Sequence, residues 1–174
     1  SFTTSTDKLA GTNNDDSYNG VIVTDSGTGT TLQAGDQVLA SGGTDTLAVS
    51  VSGRHTGNQS VTAVDAEVEK VLVSNFQTGA FSQTIDTALM GSLTTVGLSS
   101  SSANGDTIFT GLANMVNAEM KNGDADLTVT YNGVQLISGP ADAMTLTAAA
   151  QTGGTFTANG VENLTIDSTV SKNT

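Results

Sequence analysis

The 174-residue chain has no cysteine and no tryptophan, one proline (Pro140), one histidine (His55) and only five lysine and arginine residues. Without cysteine there are no disulfide staples, no thiol nucleophile and no Cys-ligated zinc, and secreted bacterial proteins often share this absence. The lone histidine sits beside Arg54 in a glycine-flanked stretch, where it reads as a solvated loop residue rather than half of a catalytic pair. No Gly-x-Ser-x-Gly elbow, Walker loop or His-Glu-x-x-His is present. Asp25-Ser-Gly-Thr28 superficially looks like the turn of an aspartic protease, but that chemistry needs a second carboxylate and Asp86-Thr-Ala is no convincing second copy. Two Tyr and five Phe offer few platforms for sugar stacking, which disfavours glycosidase and lectin readings. No enzyme activity is expected. The apolar runs are too short to cross a bilayer, so no membrane insertion is expected. Ser1 follows neither a charged leader nor an apolar stretch, so a secretion signal is removed or lies outside this sequence.

Acidic charge is abundant. Seventeen Asp and Glu against five Lys and Arg give a net charge of -12, which repels nucleic acid and anionic lipid and makes cations the natural partners. Thirteen of the acids are Asp, the shorter carboxylate suited to turns and to hard oxygen-ligand sites. Five of them fall at nine-residue spacing in two runs in the first quarter of the chain, Asp7, Asp16 and Asp25, then Asp36 and Asp45, with Leu9, Tyr18, Val38 and Leu47 two places after four of them. That beat is the period of a calcium-binding parallel β-roll, in which each nonapeptide makes one turn and one short strand. These five are the candidate Ca²⁺ ligands. In such a roll one full coil is about 18 residues, so Asp7 and Asp25 are expected as a cross-coil pair. The competing reading is that Asp in Gly/Asn/Ser-rich turns makes ordinary Asx-turns with no metal.

Thr and Val favour strands while Gly and Asn favour turns, so an all-β chain of many short strands is expected. Leu47, Val49 and Val51 alternate with small or polar residues as a half-buried strand does. One strand pattern occurs twice, as Val68-Glu-Lys-Val-Leu-Val-Ser74 and as Val161-Glu-Asn-Leu-Thr-Ile-Asp167, which suggests two equivalent rungs of a stacked sheet. Between them, Leu112, Met115, Val116 and Met120 share one face of a predicted short helix that Gly123 ends, with the methionines as core filler. Leu127 to Ile137 reads as a β-hairpin about Asn132-Gly133, which suits a type I′ turn. Asn104-Gly105-Asp106 and Asn122-Gly123-Asp124 read as turns.

Gly11-Thr-Asn-Asn-Asp-Asp-Ser-Tyr-Asn19 resembles a degenerate copy of the repeats-in-toxin nonapeptide, Gly-Gly-x-Gly-x-Asp-x-apolar-x, keeping Gly11, Asp16 and Tyr18. Ala40-Ser-Gly-Gly-Thr-Asp-Thr-Leu-Ala48 is similar and keeps Gly43, Asp45 and Leu47. Over nearly its whole length the chain more closely resembles modules of Gram-negative surface-layer proteins and giant repeat adhesins. There, phrases like Asp7-Lys-Leu-Ala-Gly-Thr12, Gly42-Gly-Thr-Asp-Thr-Leu47 and Gly153-Gly-Thr-Phe-Thr-Ala-Asn-Gly-Val-Glu-Asn-Leu164 recur in this order. The resemblance implies a secreted protein of the bacterial cell surface, often calcium-dependent, that associates with itself into a layer, filament or stalk.

The expected fold is all-β, a right-handed parallel β-solenoid of β-roll type carrying the short helix and the hairpin, with a β-sandwich as the alternative. The expected organisation is a single module over 1–174, cut from a longer polypeptide. It comprises a roll-like part at 1–52, rungs and loops at 53–104, the helix and hairpin insertion at 105–140, and final rungs at 141–174. No charged or Pro-rich cap is evident at Ser1 or Thr174, so both ends are expected to be open edges. The expected function is an extracellular structural protein stabilised by Ca²⁺. Its expected partners are further copies of itself and cell-surface polysaccharide. The alternative is an adhesin module that presents loops such as 53–58 or 99–105 to a receptor or glycan.

Overall fold

The structure, a computed structural model, describes residues 1–25, 28–61, 64–133, 137–139, 141–168 and 172–173. The first coil carries β1 (Lys8–Ala10) and β2 (Ser17–Val23), and the second carries β3 (Gln37–Leu39), β4 (Thr46–Ser52) and β5 (Gln59–Val61). The third carries β6 (Asp65–Ala66), β7 (Lys70–Asn75) and β8 (Gln83–Asp86). Three coils of two strands follow, β9 (Thr95–Ser101) with β10 (Thr107–Leu112), β11 (Asn117–Gly123) with β12 (Leu127–Tyr131), and β13 (Ala143–Gln151) with β14 (Phe156–Ala158). The last strand is β15 (Asn163–Asp167).

Each strand pairs with its counterpart one coil away, and every named strand pair is parallel. Three sheets result, in the orders β1-β3-β6, β5-β8-β10-β12-β14 and β2-β4-β7-β9-β11-β13-β15. The chain is a parallel β-solenoid of about six turns. That arrangement excludes the β-sandwich, which packs antiparallel sheets face to face.

Register in the seven-stranded sheet is set by an inward column, Tyr18, Leu47, Val71, Val96, Ala118, Leu146 and Ile166, each residue opposite the next. Its steps are 29, 24, 25, 22, 28 and 20 residues, so the coil is longer than the nine-residue beat implied and uneven in length. The period-2 pattern of β4 holds, with Leu47, Val49 and Val51 all buried. The two Val-Glu strands lie in this one sheet as β7 and β15, offset by two residues: Val71 stands in the column of Ile166, not of Leu164.

The predicted helix is not formed. Leu112 ends β10, while Val116, Ala118 and Met120 point inward along β11 and its approach, alternating with the less buried Asn117, Glu119 and Lys121. Leu112, Val116 and Met120 are four residues apart, a spacing that fits a strand's period of two as well as a helix turn. The free edges of β9 and β13 decide between them, overriding the helix propensity of Ala, Met, Glu and Lys.

Nor does β12 begin a hairpin. Both of its edges are occupied by parallel neighbours, β10 and β14. Gly133 has φ +105, but Asn132 is not among the residues with positive φ, so the type I′ turn is absent. The second arm of the expected hairpin, at 134–136, lies outside the described residues.

The two ends of the long sheet differ. At β2 the outer edge is closed: Phe2 N–H donates to Asn19 O (3.0 Å), and Thr31 and Leu32 N–H to Val21 O (2.8 and 3.1 Å). Val21 and Val23 N–H donate to the hydroxyls of Thr31 and Thr30 (2.9 Å each). Phe2 and Leu32 are themselves buried in the core, and Gly20 leaves room for Leu32. Thus the expectation of an uncapped start is corrected. At β15 no described strand covers the outer edge, and Leu164 and Ile166 are 45% and 62% exposed although Leu146, one coil before Ile166, is buried.

Candidate functional site

The aspartate beat has a structural origin. Asp7 and Asp16 immediately precede β1 and β2, and Asp36 and Asp45 immediately precede β3 and β4, so the nine-residue interval separates two strand starts within one coil. Between coils the interval is 29: the Asp36 carboxylate accepts the Asp7 N–H (2.9 Å), and that of Asp45 accepts the Asp16 N–H (2.7 Å). Other oxygens are taken locally. Thr3 N–H donates to Asp7 (2.6 Å), Thr12 N–H to Asp16 (2.7 Å) and Gln33 N–H to Asp36 (2.7 Å), so each Asp closes the turn before it by reaching back three or four residues, the reverse of an Asx-turn.

The ladder continues beyond the first quarter of the chain. Glu69 precedes β7 and accepts the Asp45 N–H (2.8 Å), and Glu162 precedes β15 and accepts the Asp142 N–H (3.3 Å), so the Glu of both Val-Glu strands does the same task. Asp106, before β10, accepts the Asp126 N–H (2.9 Å), and Asp126, before β12, accepts the Thr155 N–H (2.7 Å). These acids were not singled out as ladder members by sequence reasoning. The signal that finds them is an acid directly before a β-prone run, whatever the interval. Asp106 lies in one Asn-Gly-Asp triplet, which is thereby explained as a coil-to-coil contact.

The five predicted ligands are not gathered into one cluster. The structure makes two pairs, Asp7 with Asp36 and Asp16 with Asp45, the second member of each being buried. Asp25 stands apart, exposed in the turn after β2 and close to Gly53 of the next coil, so it does not pair with Asp7. Among the described residues no group of three or more His, Cys, Asp or Glu is arranged to hold a metal ion. Each carboxylate keeps lone pairs beyond those its N–H donors use, and Ca²⁺ takes six to eight oxygens. A cation at a pair would draw on two carboxylates and on backbone carbonyls. Tyr18 lies beside Asp16 and Asp45: burial first, then the two negative charges, push its phenol up from the usual tyrosine range. Its hydroxyl is buried with no hydrogen-bond partner among the described residues.

His55 is buried, contrary to the solvated loop residue expected. It sits in a polar corner where the coil passes from the seven-stranded to the five-stranded sheet. Its Nδ1 is 3.2 Å from Phe81 O, an oxygen that also accepts from Gln77 Nε2 (2.6 Å). Gln77 Nε2 also contacts Asn104 O, and Asn75 Nδ2 donates to Thr107 Oγ1 (3.1 Å). Burial holds the imidazole below its ordinary range, against the opposing effect of its contacts with Phe81 and Gln83. On the outer face of the seven-stranded sheet, Glu119 bridges Lys121 (2.6 Å) and Lys70 (3.1 Å). Burial alone would raise its carboxyl, but the hydrogen bonds and charges of the two lysines outweigh that and hold it below the usual range.

No known protein family matches this chain, and no curated protein and no solved structure does either.

Proposed function

We propose that the chain is an extracellular structural module of a bacterial cell surface that associates with further copies of itself into a layer or filament. The observation that carries this reading is the β15 edge, where Leu164 and Ile166 are exposed and no described strand pairs on the outer side. An unpaired edge of this kind is a template for another strand, with main-chain bonds giving affinity and the apolar side chains burial. The closed β2 end directs strand addition to the β15 end, and the exposed Leu39 and Leu89 offer lateral contacts.

Calcium enters as the counter-charge to the carboxylate pairs, at Asp7, Asp16, Asp36 and Asp45, with Asp25 as a separate turn ligand. Two charges about one coil spacing apart repel by roughly 3 kcal/mol at an effective dielectric near 20. Among the described residues no lysine or arginine forms an ion pair with Asp7, Asp16, Asp36 or Asp45.

The test combines negative-stain microscopy with thermal unfolding in millimolar Ca²⁺, in EGTA and in Mg²⁺. Ordered sheets or fibres, with an upward shift in Tm specific to Ca²⁺, support the reading. A module that stays monomeric at high concentration with Ca²⁺ overturns the assembly, and an unchanged Tm overturns the metal.

One observation favours the adhesin alternative. Phe76 and Phe81, 55% and 41% exposed, flank the β7–β8 turn, which pairs with the 53–58 loop through Arg54 and Thr78. Binding of the isolated module to cells, glycans or cell-surface polysaccharide, lost in Phe76→Ser, supports that reading.

A further inference from the structure

Asparagine precedes glycine five times, at Asn19, Asn104, Asn122, Asn132 and Asn159. In such a pair the backbone nitrogen of the glycine attacks the side-chain carbonyl carbon of the asparagine. A C–N bond forms, the bond to the side-chain nitrogen breaks, and ammonia leaves after the glycine amide proton passes to it through solvent. Water then opens the succinimide at either carbonyl, giving Asp or the β-linked isoAsp. One water is consumed and one ammonia released, and no oxidant or reductant takes part. The reaction requires a free glycine nitrogen and space for the chain to rotate into the ring geometry.

Four of the five pairs lack that space. A Cβ built on Gly20 would meet Leu32 at 3.0 Å, and one on Gly160 would meet Ile137 at 2.8 Å. At Gly105 it would overlap Asn75 O, and at Gly123 the Ser101 side chain. Gly105 N–H is also engaged, donating to Ser102 O (2.8 Å), and Asn122 Nδ2 donates to Ser99 O (3.1 Å). Asn19 and Asn122 lie inside β2 and β11. Gly133 differs from all four: no described residue lies within 4 Å of its Cβ position, and both it and Asn132 are exposed just past the end of β12.

We propose that Asn132 is the chain's site of spontaneous deamidation, converting in the folded protein to a mixture of Asp and isoAsp. The Asn132 N–H is anchored to Leu112 O (2.7 Å), so the extra backbone methylene of isoAsp displaces the chain after residue 132 and leaves β12 in register. The product adds one negative charge to a chain already at -12.

The test is to incubate the folded protein in mildly alkaline buffer and map its peptides by mass spectrometry, with isoaspartyl methyltransferase labelling to locate isoAsp. A parallel sample is kept in concentrated urea. In the folded sample, isoAsp is expected to accumulate first at Asn132, then at the exposed Asn159, and hardly at Asn19, Asn104 and Asn122. In urea, where only local sequence matters, the five rates should converge. Asn132→Ser should lose the early signal without altering the fold, checked by circular dichroism. Conversion at Asn132 no faster than at the three strand-held or packed sites, or an order unchanged by urea, overturns the proposal.

Discussion

Replacing Asp45 separates its role as a hydrogen-bond acceptor from its role as a charge. Asp45 is buried, accepts the Asp16 N–H at 2.7 Å and donates its own N–H to Glu69 at 2.8 Å. Asp45→Ala leaves the Asp16 N–H without its acceptor, at a cost of about 2 kcal/mol for a bond to a charged group. For a domain of this size that corresponds to a fall in Tm of roughly 4–8 °C. Asp45→Asn keeps an oxygen in place. It weakens the bond to a neutral one but removes repulsion from Asp16 and Glu69, so stability should stay within about 1 kcal/mol of the parent. The measurement is thermal unfolding by circular dichroism in EGTA, which takes metal out of the comparison. If Asn is as damaging as Ala under EGTA, or if Ala costs nothing, the carboxylates are not holding coil to coil through the backbone as argued. Repeating the scan in Ca²⁺ adds a separate reading: loss of any Ca²⁺-dependent shift in Asp45→Asn locates the cation at the Asp16–Asp45 pair.

Gly97→Ala should force β9 and β11 apart, because its Cβ would overlap the Glu119 carbonyl oxygen; a loss of about 1–3 kcal/mol in urea unfolding is expected. Gly91→Ala, where no described residue lies within 4 Å of the added Cβ, serves as the neutral control. The single imidazole gives one NMR titration, expected below the ordinary histidine range because His55 is held low by burial. As pH falls through that ordinary range the unfolded chain takes up the proton first, so stability should drop there in the parent and not in His55→Gln. Glu119 is shifted the same way for a different reason, its lysine neighbours prevailing over burial. Its contribution should be complete above the ordinary carboxylate range and disappear as pH falls through its lower folded value, so the parent and Glu119→Gln should converge in acid.

The strand content could be read directly where one face of the sheet is apolar, as at Leu47, Val49 and Val51, because burial on one side imposes alternation. At Leu112 to Met120 the spacing satisfies two periods, and only the waiting edges of β9 and β13 choose between them. The positions of the aspartates were readable too, but not their partners. Nine residues is the distance between strand starts in one coil, and nothing local states that the coil closes only after 29. Glu69 and Glu162 were visible as a repeat without their purpose, since the N–H groups they accept belong to other coils. His55 looked solvated because its flanking glycines and Arg54 suggest an open loop, while the Gln77 and Phe81 groups that enclose it arrive from a coil later in the chain.

The uneven coil, with steps from 20 to 29 residues along one unbroken inward column, means that register is kept by hydrogen bonds and side-chain columns rather than by counting. Chain added at an outward turn therefore has no rung to disturb. Its cost is the closure of a longer loop, about 0.6 kcal/mol for each doubling in length. The exposed turn at Gly91, which Asn114 Nδ2 ties to the next coil through the Gly91 carbonyl (2.8 Å), is accordingly a place at which foreign peptides could be displayed on this scaffold, inserted after Gly91 so that this bond and the rungs on either side stay as they are.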